Sequence, residues 1–152
     1  MFSKRDKILE GFLSNNADRV LESSHEVRRS IITDREMIEA LVEDLDKIEK
    51  ATRGLNYGGL LLPNRRFVDK ALMIIRGSHE NKCLCEFAFE DVGQSAKSLQ
   101  RNFGFILLSE ETKGYINAGK IECPKCHQKY LVEEEYTGGH VTKSRYWKID
   151  NE

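Results

Sequence analysis

Only two prolines interrupt the 152 residues. No low-complexity tract occurs either, so long disordered linkers are not expected. No apolar run approaches the ~20 residues that a bilayer-spanning helix needs. The longest, near Gly58 to Leu62, is far too short, and no membrane partner is expected. The opening Met1-Phe2-Ser3-Lys4-Arg5-Asp6 lacks the apolar core and small-residue cleavage site of a signal peptide, which points to a cytoplasmic protein. A dominant charge is missing as well: 24 basic and 25 acidic residues give a formal net charge of -1. Nucleic-acid binders draw much of their affinity from phosphate neutralisation, and no basic excess is visible here, although folding can still gather a local patch. Catalytic signatures are absent too. There is no GxSxG, no HExxH, and the Gly58-Gly59 pair lacks the GxxxxGK[ST] pattern of a phosphate loop. No catalytic residue is assigned, and the chain reads as a non-enzyme.

What the chain does have is four cysteines in two close pairs, Cys83-Leu84-Cys85 and Cys123-Pro124-Lys125-Cys126. In a reducing compartment, paired cysteines are more often metal ligands than disulfides. Two short cysteine turns facing each other offer four thiolates to one tetrahedral ion, and Zn2+ is the usual occupant. Cys83, Cys85, Cys123 and Cys126 are therefore the expected ligands of a structural zinc. Four thiolates close the coordination shell and leave no position for a catalytic water. His127 directly follows the last cysteine and His140 sits in a turn, so either could replace one ligand. Cys-Pro-Lys-Cys also matches the second half of a deaminase signature, but no HxE precedes it.

Residues 1–78 read as a helical region and residues 79–152 as a zinc-stapled antiparallel β region, together one α+β unit. Ser3 with Asp6 forms a capping start for Ile8, Leu9, Phe12 and Leu13, and Asn15-Asn16 leaves open whether one helix or two follow. Thr33 with Glu36 predicts a second start, carrying an apolar seam of Ile38, Leu41, Leu45 and Ile48 to a left-handed stop at Gly54. Asn64 is the expected side-chain cap of a helix that ends at Gly77. Beyond it the period changes to two. Lys82 to Phe89 reads as a strand with Cys83, Cys85, Phe87 and Phe89 on one face, and Phe103 to Leu108 as a buried strand. Asp91 to Asn102 reads as a loop or short helix, and Glu110 to Gly114 as a turn. Tyr130 to Tyr136 and Val141 to Ile149 are expected to pair around Thr137-Gly138-Gly139-His140. Tyr130, Tyr146 and Trp147 are the expected packing residues of that sheet.

The two cysteine pairs with Tyr130-Leu131-Val132-Glu133-Glu134-Glu135 resemble a zinc ribbon, and with Tyr146-Trp147-Lys148 they resemble small bacterial toxin-immunity proteins. That resemblance, covering residues 82–149, implies a cytoplasmic, non-enzymatic protein that neutralises one secreted toxin by covering its active site. The acidic segments Glu43 to Glu49 and Glu133 to Glu135 suit a basic protein partner, whose approach they would steer. The alternative is a zinc-ribbon nucleic-acid-binding regulator, with Lys120, Lys125, Lys129, Lys143, Arg145 and Lys148 near Tyr146 and Trp147. Partner identity, contact surface and oligomeric state stay open at this level.

Overall fold

A computed structural model describes residues 2–80, 82–89 and 94–150, without the side chains of Val141 and Thr142. The chain is α+β, with helices followed by a four-stranded antiparallel sheet, and it divides into two compact units, Met1–Leu84 and Cys85–Glu152.

The first unit is built from α1 (Lys4–Phe12), α2 (Ala17–Arg29), α3 (Arg35–Ala40), α4 (Leu45–Thr52) and α5 (Arg65–Gly77). Ser3 and Asp6 form the expected reciprocal capping box on α1. Asn15 takes a left-handed turn (φ 58) and Asn16 caps α2 through the Arg19 amide, so the first segment is two helices. Their close approach depends on Gly11, where an added Cβ would fall 2.1 Å from Ser23 Oγ; that hydroxyl donates to the Ile8 carbonyl instead. Phe12, Val20, Val27, Ile38, Leu41, Ile48, Val68, Ile74 and Ile75 are all fully buried.

The cap of α3 is Asp34 rather than Thr33, since the Asp34 carboxylate accepts from the Met37 amide at 3.3 Å. The expected single helix from there is broken by a 3-10 turn at Val42–Asp44, and α4 ends at Thr52 with Arg53 as its C-cap and Gly54 outside the left-handed region. Asn64 makes no side-chain cap; its amide donates to the Tyr57 carbonyl at 3.0 Å and so closes the α4–α5 connection.

In the second unit the sheet order is β1-β2-β3-β4, a plain meander. β1 is Ile106–Lys113, β2 Ile116–Glu122, β3 Lys129–Thr137 and β4 His140–Ile149. Gly138 and Gly139 both take positive φ (61 and 81) in the β3–β4 turn, as that hairpin requires. α6 (Ala96–Phe103), capped by Ser95, covers one sheet face. The segment expected as loop or short helix thus contains a regular helix, while Asp91, Val92 and Gly93 lie outside the described residues. Phe103 belongs to α6 rather than to a strand. β1 is largely exposed and runs through Lys113, where a turn was expected from Glu110. An open edge strand needs no continuous apolar face, because pairing with β2 fixes it.

Register divides the sheet residues cleanly. Ile121, Tyr130, Val132 and Tyr146 share the covered face; Lys120, Leu131 and Trp147 share the other.

Candidate metal centre

The two cysteine pairs arrive by different local structures. Cys85 opens a 3-10 turn, Cys85–Ala88, so the expected extended strand from Lys82 to Phe89 is not formed. Cys123 and Cys126 lie in the knuckle between β2 and β3. There the His127 amide donates to the Cys123 carbonyl at 2.9 Å, and the Cys123 amide to the Gln128 carbonyl at 3.0 Å. Closing so tight a knuckle puts His127 at φ 64, a conformation that costs any residue with a Cβ.

These turns bring together Cys83, Cys85, Cys123 and Cys126, whose sulfurs all lie within 4.8 Å of one another. Cys85 Sγ and Cys126 Sγ are 3.7 Å apart. A disulfide would need about 2.05 Å. Thiolates at ~2.3 Å around a tetrahedral ion stand roughly 3.8 Å apart, so this pair fits one edge of such a tetrahedron. The donor set and spacing fit a metal ion bound by four sulfurs. Cys85 and Cys123 are buried, Cys83 is half-buried and Cys126 is exposed. The gradient places two of the candidate ligands in the interior and two toward solvent.

The surroundings suit thiolates. Tyr130, fully buried on β3, holds its hydroxyl 3.0 Å from Cys85 Sγ. Burial, reinforced by the neighbouring Cys85 sulfur, pushes that hydroxyl far above the usual phenol value, so it stays protonated and can donate to the Cys85 sulfur. Phe89 stacks on Tyr146 at 4.3 Å and 14°, and packs at 4.6 Å against Tyr130, which walls one side of the turn with aromatic rings. Lys148 pairs with Glu86 inside the 3-10 turn; that hydrogen bond raises the Lys148 ammonium above its ordinary value and keeps it charged.

The histidines offered as substitute ligands are not among the grouped donors. His127 is exposed, with Nδ1 3.8 Å from a Glu122 carboxylate oxygen, and His140 is exposed in the β3–β4 turn.

The residues of the nucleic-acid alternative are divided by the sheet. Tyr146 is engaged by Phe89 and Lys148 by Glu86, both on the covered face. Trp147 lies on the opposite face beside Leu131, where Lys129, Arg145 and Lys143 stand directly across from Glu122, Glu133 and Glu135. Opposite charges facing one another across the strands offset the local basic field and, equally, the acidic field of Glu133 and Glu135.

One residue is not assigned inward by its sequence. Glu134 lies on the covered face, 2% exposed, and accepts from the Tyr136 hydroxyl at one carboxylate oxygen; the other has no partner among the described residues. The signal for it was alternation, since three consecutive glutamates in a strand must turn at least one inward.

No helix among the described residues is long and apolar enough to cross a membrane. Comparison with protein families, with curated proteins and with solved structures yields no match for this chain.

Proposed function

We propose that this chain is a non-enzymatic, cytoplasmic protein-binding module held together by a structural Zn2+ at Cys83, Cys85, Cys123 and Cys126. In this reading it acts as an immunity or antitoxin-like factor, which neutralises a protein partner by covering it. The observation that carries the reading is the gathering of four sulfurs within 4.8 Å. Four thiolates complete the shell of a tetrahedral ion, so the metal's role is to fold and stiffen a surface rather than to activate water. Zinc is favoured over iron because it is the common occupant of cysteine-paired ribbons, although tetrahedral S4 sites accept both metals.

Two measurements test it. Elemental analysis of purified protein should give one zinc per chain, and cobalt substitution should give the absorption of a tetrahedral thiolate site. A nuclease-treated pull-down from native cells should then retain one protein in stoichiometric amount. Salt-labile nucleic acid with no stoichiometric protein would overturn the protein-binding reading in favour of the regulator.

A further inference from the structure

The α4–α5 connection carries the largest exposed leucines of the molecule. Leu60 and Leu61 are 104% and 97% exposed, and Leu62 is 56% exposed. Solvated leucines are ordinary when single, but a run of three at one loop tip marks a contact surface.

The loop is a built presentation rather than slack chain. The Asn64 amide donates to the Gly58 carbonyl at 2.9 Å, and the Asn64 side chain to the Tyr57 carbonyl. Gly58 and Gly59 both take positive φ (73 and 117). A Cβ on Gly59 would fall 2.2 Å from the Leu62 carbonyl oxygen, so only glycine permits this closure. Beneath the tip, Tyr57 is buried and its hydroxyl donates to the Thr52 carbonyl at 2.7 Å. Arg65 then bonds the Thr52 and Arg53 carbonyls at 2.8 and 3.0 Å, tying the start of α5 to the end of α4. The tyrosine takes the interior, and the leucines are left outside by a fixed backbone.

Charge selects the partner. In a chain of net charge -1, the stretch from 50 to 70 carries Lys50, Arg53, Arg65, Arg66 and Lys70 against Asp69, which pairs with Arg65 at 3.2 Å; Arg65, Arg66 and Lys70 are half-buried. Lys50 and Arg53 are exposed at the end of α4, beside the base of the loop. A convex apolar tip on a basic base complements a surface that is anionic outside and hydrocarbon just beneath.

We propose that Leu60, Leu61 and Leu62 form a wedge that inserts into the headgroup boundary of an anionic lipid bilayer, with the surrounding basic side chains supplying the electrostatic attraction. Spanning and resting on a membrane are different demands. A run far too short to cross the hydrocarbon core is long enough to seat three side chains at its boundary. Basic residues near an anionic leaflet act within a Debye length, so the contact must weaken with salt. This inference stands apart from the metal centre and from the protein-binding reading.

The test is co-sedimentation of the purified full chain with vesicles of phosphatidylcholine alone and of phosphatidylcholine with 30% phosphatidylserine. Binding is expected to the anionic vesicles only, with at least a roughly tenfold loss when the salt is raised to about 0.5 M. Leu60→Ser/Leu61→Ser should reduce binding about tenfold or more, and Lys50→Glu/Arg53→Glu should do so at low salt. The leucine variant alters fully exposed side chains, and an unchanged circular dichroism spectrum confirms its fold. No binding to anionic vesicles at millimolar lipid, or binding indifferent to both leucines, would overturn the proposal. So would loss of a stoichiometric protein partner in the leucine variant when the parent ignores vesicles, since the wedge would then fit a protein groove.

Discussion

At position 127 the fold places a histidine where the backbone asks for glycine. The knuckle turns back at φ 64, with the His127 amide committed to the Cys123 carbonyl. A left-handed residue with a Cβ costs about 1–2 kcal/mol, of which the greater chain entropy of glycine returns about 0.5–1. The His127 side chain is 70% exposed and contributes only a 3.8 Å approach to Glu122, which weighs little at a surface. His127→Gly should therefore stabilise the protein by about 0.5–1 kcal/mol. His127→Val should cost at least ~1 kcal/mol, because a β-branched side chain tolerates this region worst. Urea denaturation of the metal-loaded protein reads both, and equal midpoints for the two variants would refute the strain. The same residue shows why the ligand question was open from sequence. Adjacency to Cys126 suggests ligation, but the turn that brings the sulfurs together carries the His127 side chain to the surface.

At the scale of elements, two connections decide the packing. Gly119 on β2 lies against Ala96 of α6, where an added Cβ would fall 2.3 Å from the Ala96 Cβ. Gly119→Ala should cost about 1–3 kcal/mol by pushing the helix off the sheet, and Ala96→Gly should return part of that loss in the double variant. Additive penalties in thermal denaturation would show that the contact is not shared. In the α4–α5 connection, burial raises the Tyr57 hydroxyl above its ordinary pKa, with Arg65 opposing. A raised folded-state value means that its contribution is complete below the unfolded value of about 10 and is lost as pH rises through the folded one. Stability should fall above about pH 10, and Tyr57→Phe should flatten that limb. The variant should also cost about 1 kcal/mol at neutral pH through the lost bond to the Thr52 carbonyl. A parallel limb in the variant would remove Tyr57 from the account.

Elements were legible in sequence where one signal dominated. Ser3 with Asp6 marks α1, and Gly138-Gly139 marks the β3–β4 turn, since few other residues satisfy those backbones. Thr33 and Asp34 are adjacent capping side chains, and the structure uses the second. The period-two run from Cys83 to Phe89 describes which residues are apolar, not how tightly the chain must curl to gather sulfurs, and the chain there forms a 3-10 turn instead of a strand. The four ligand candidates were legible because cysteine is scarce and its spacing is short. The Tyr130 hydroxyl at Cys85 was not, because 45 residues separate them and only the sheet brings them together.

For the whole molecule, the two units carry unequal cores. Residues 1–84 bury three aligned faces of α1, α2 and α5, including Phe12, Val20, Val27, Val68, Ile74 and Ile75, with α3 and α4 adding Ile38 and Ile48. The sheet unit from Cys85 onward has a smaller set, chiefly Leu99, Phe105, Ile121, Tyr130 and Val132, beneath one helix and one face of an open meander. Domains below ~70–80 residues seldom reach useful stability from apolar burial alone and rely on a staple such as a metal. Three of the four candidate ligands, Cys85, Cys123 and Cys126, belong to that unit, so metal binding that requires the folded knuckle would add its free energy to that unit's stability. Stripping the proposed metal with a strong chelator at neutral pH should therefore act unevenly. Amide exchange protection should drop at least ~100-fold across β2, β3 and the knuckle amide of Cys123, while the amides of α2 and α5 keep theirs. Cys123→Ser should reproduce the pattern without chelator, because it removes a buried ligand. Uniform loss over both units would mean that the metal supports one cooperative fold. Unchanged protection in the sheet would mean that the aromatic packing of Phe89, Tyr130 and Tyr146 suffices to hold the knuckle, and that the four sulfurs serve binding rather than folding.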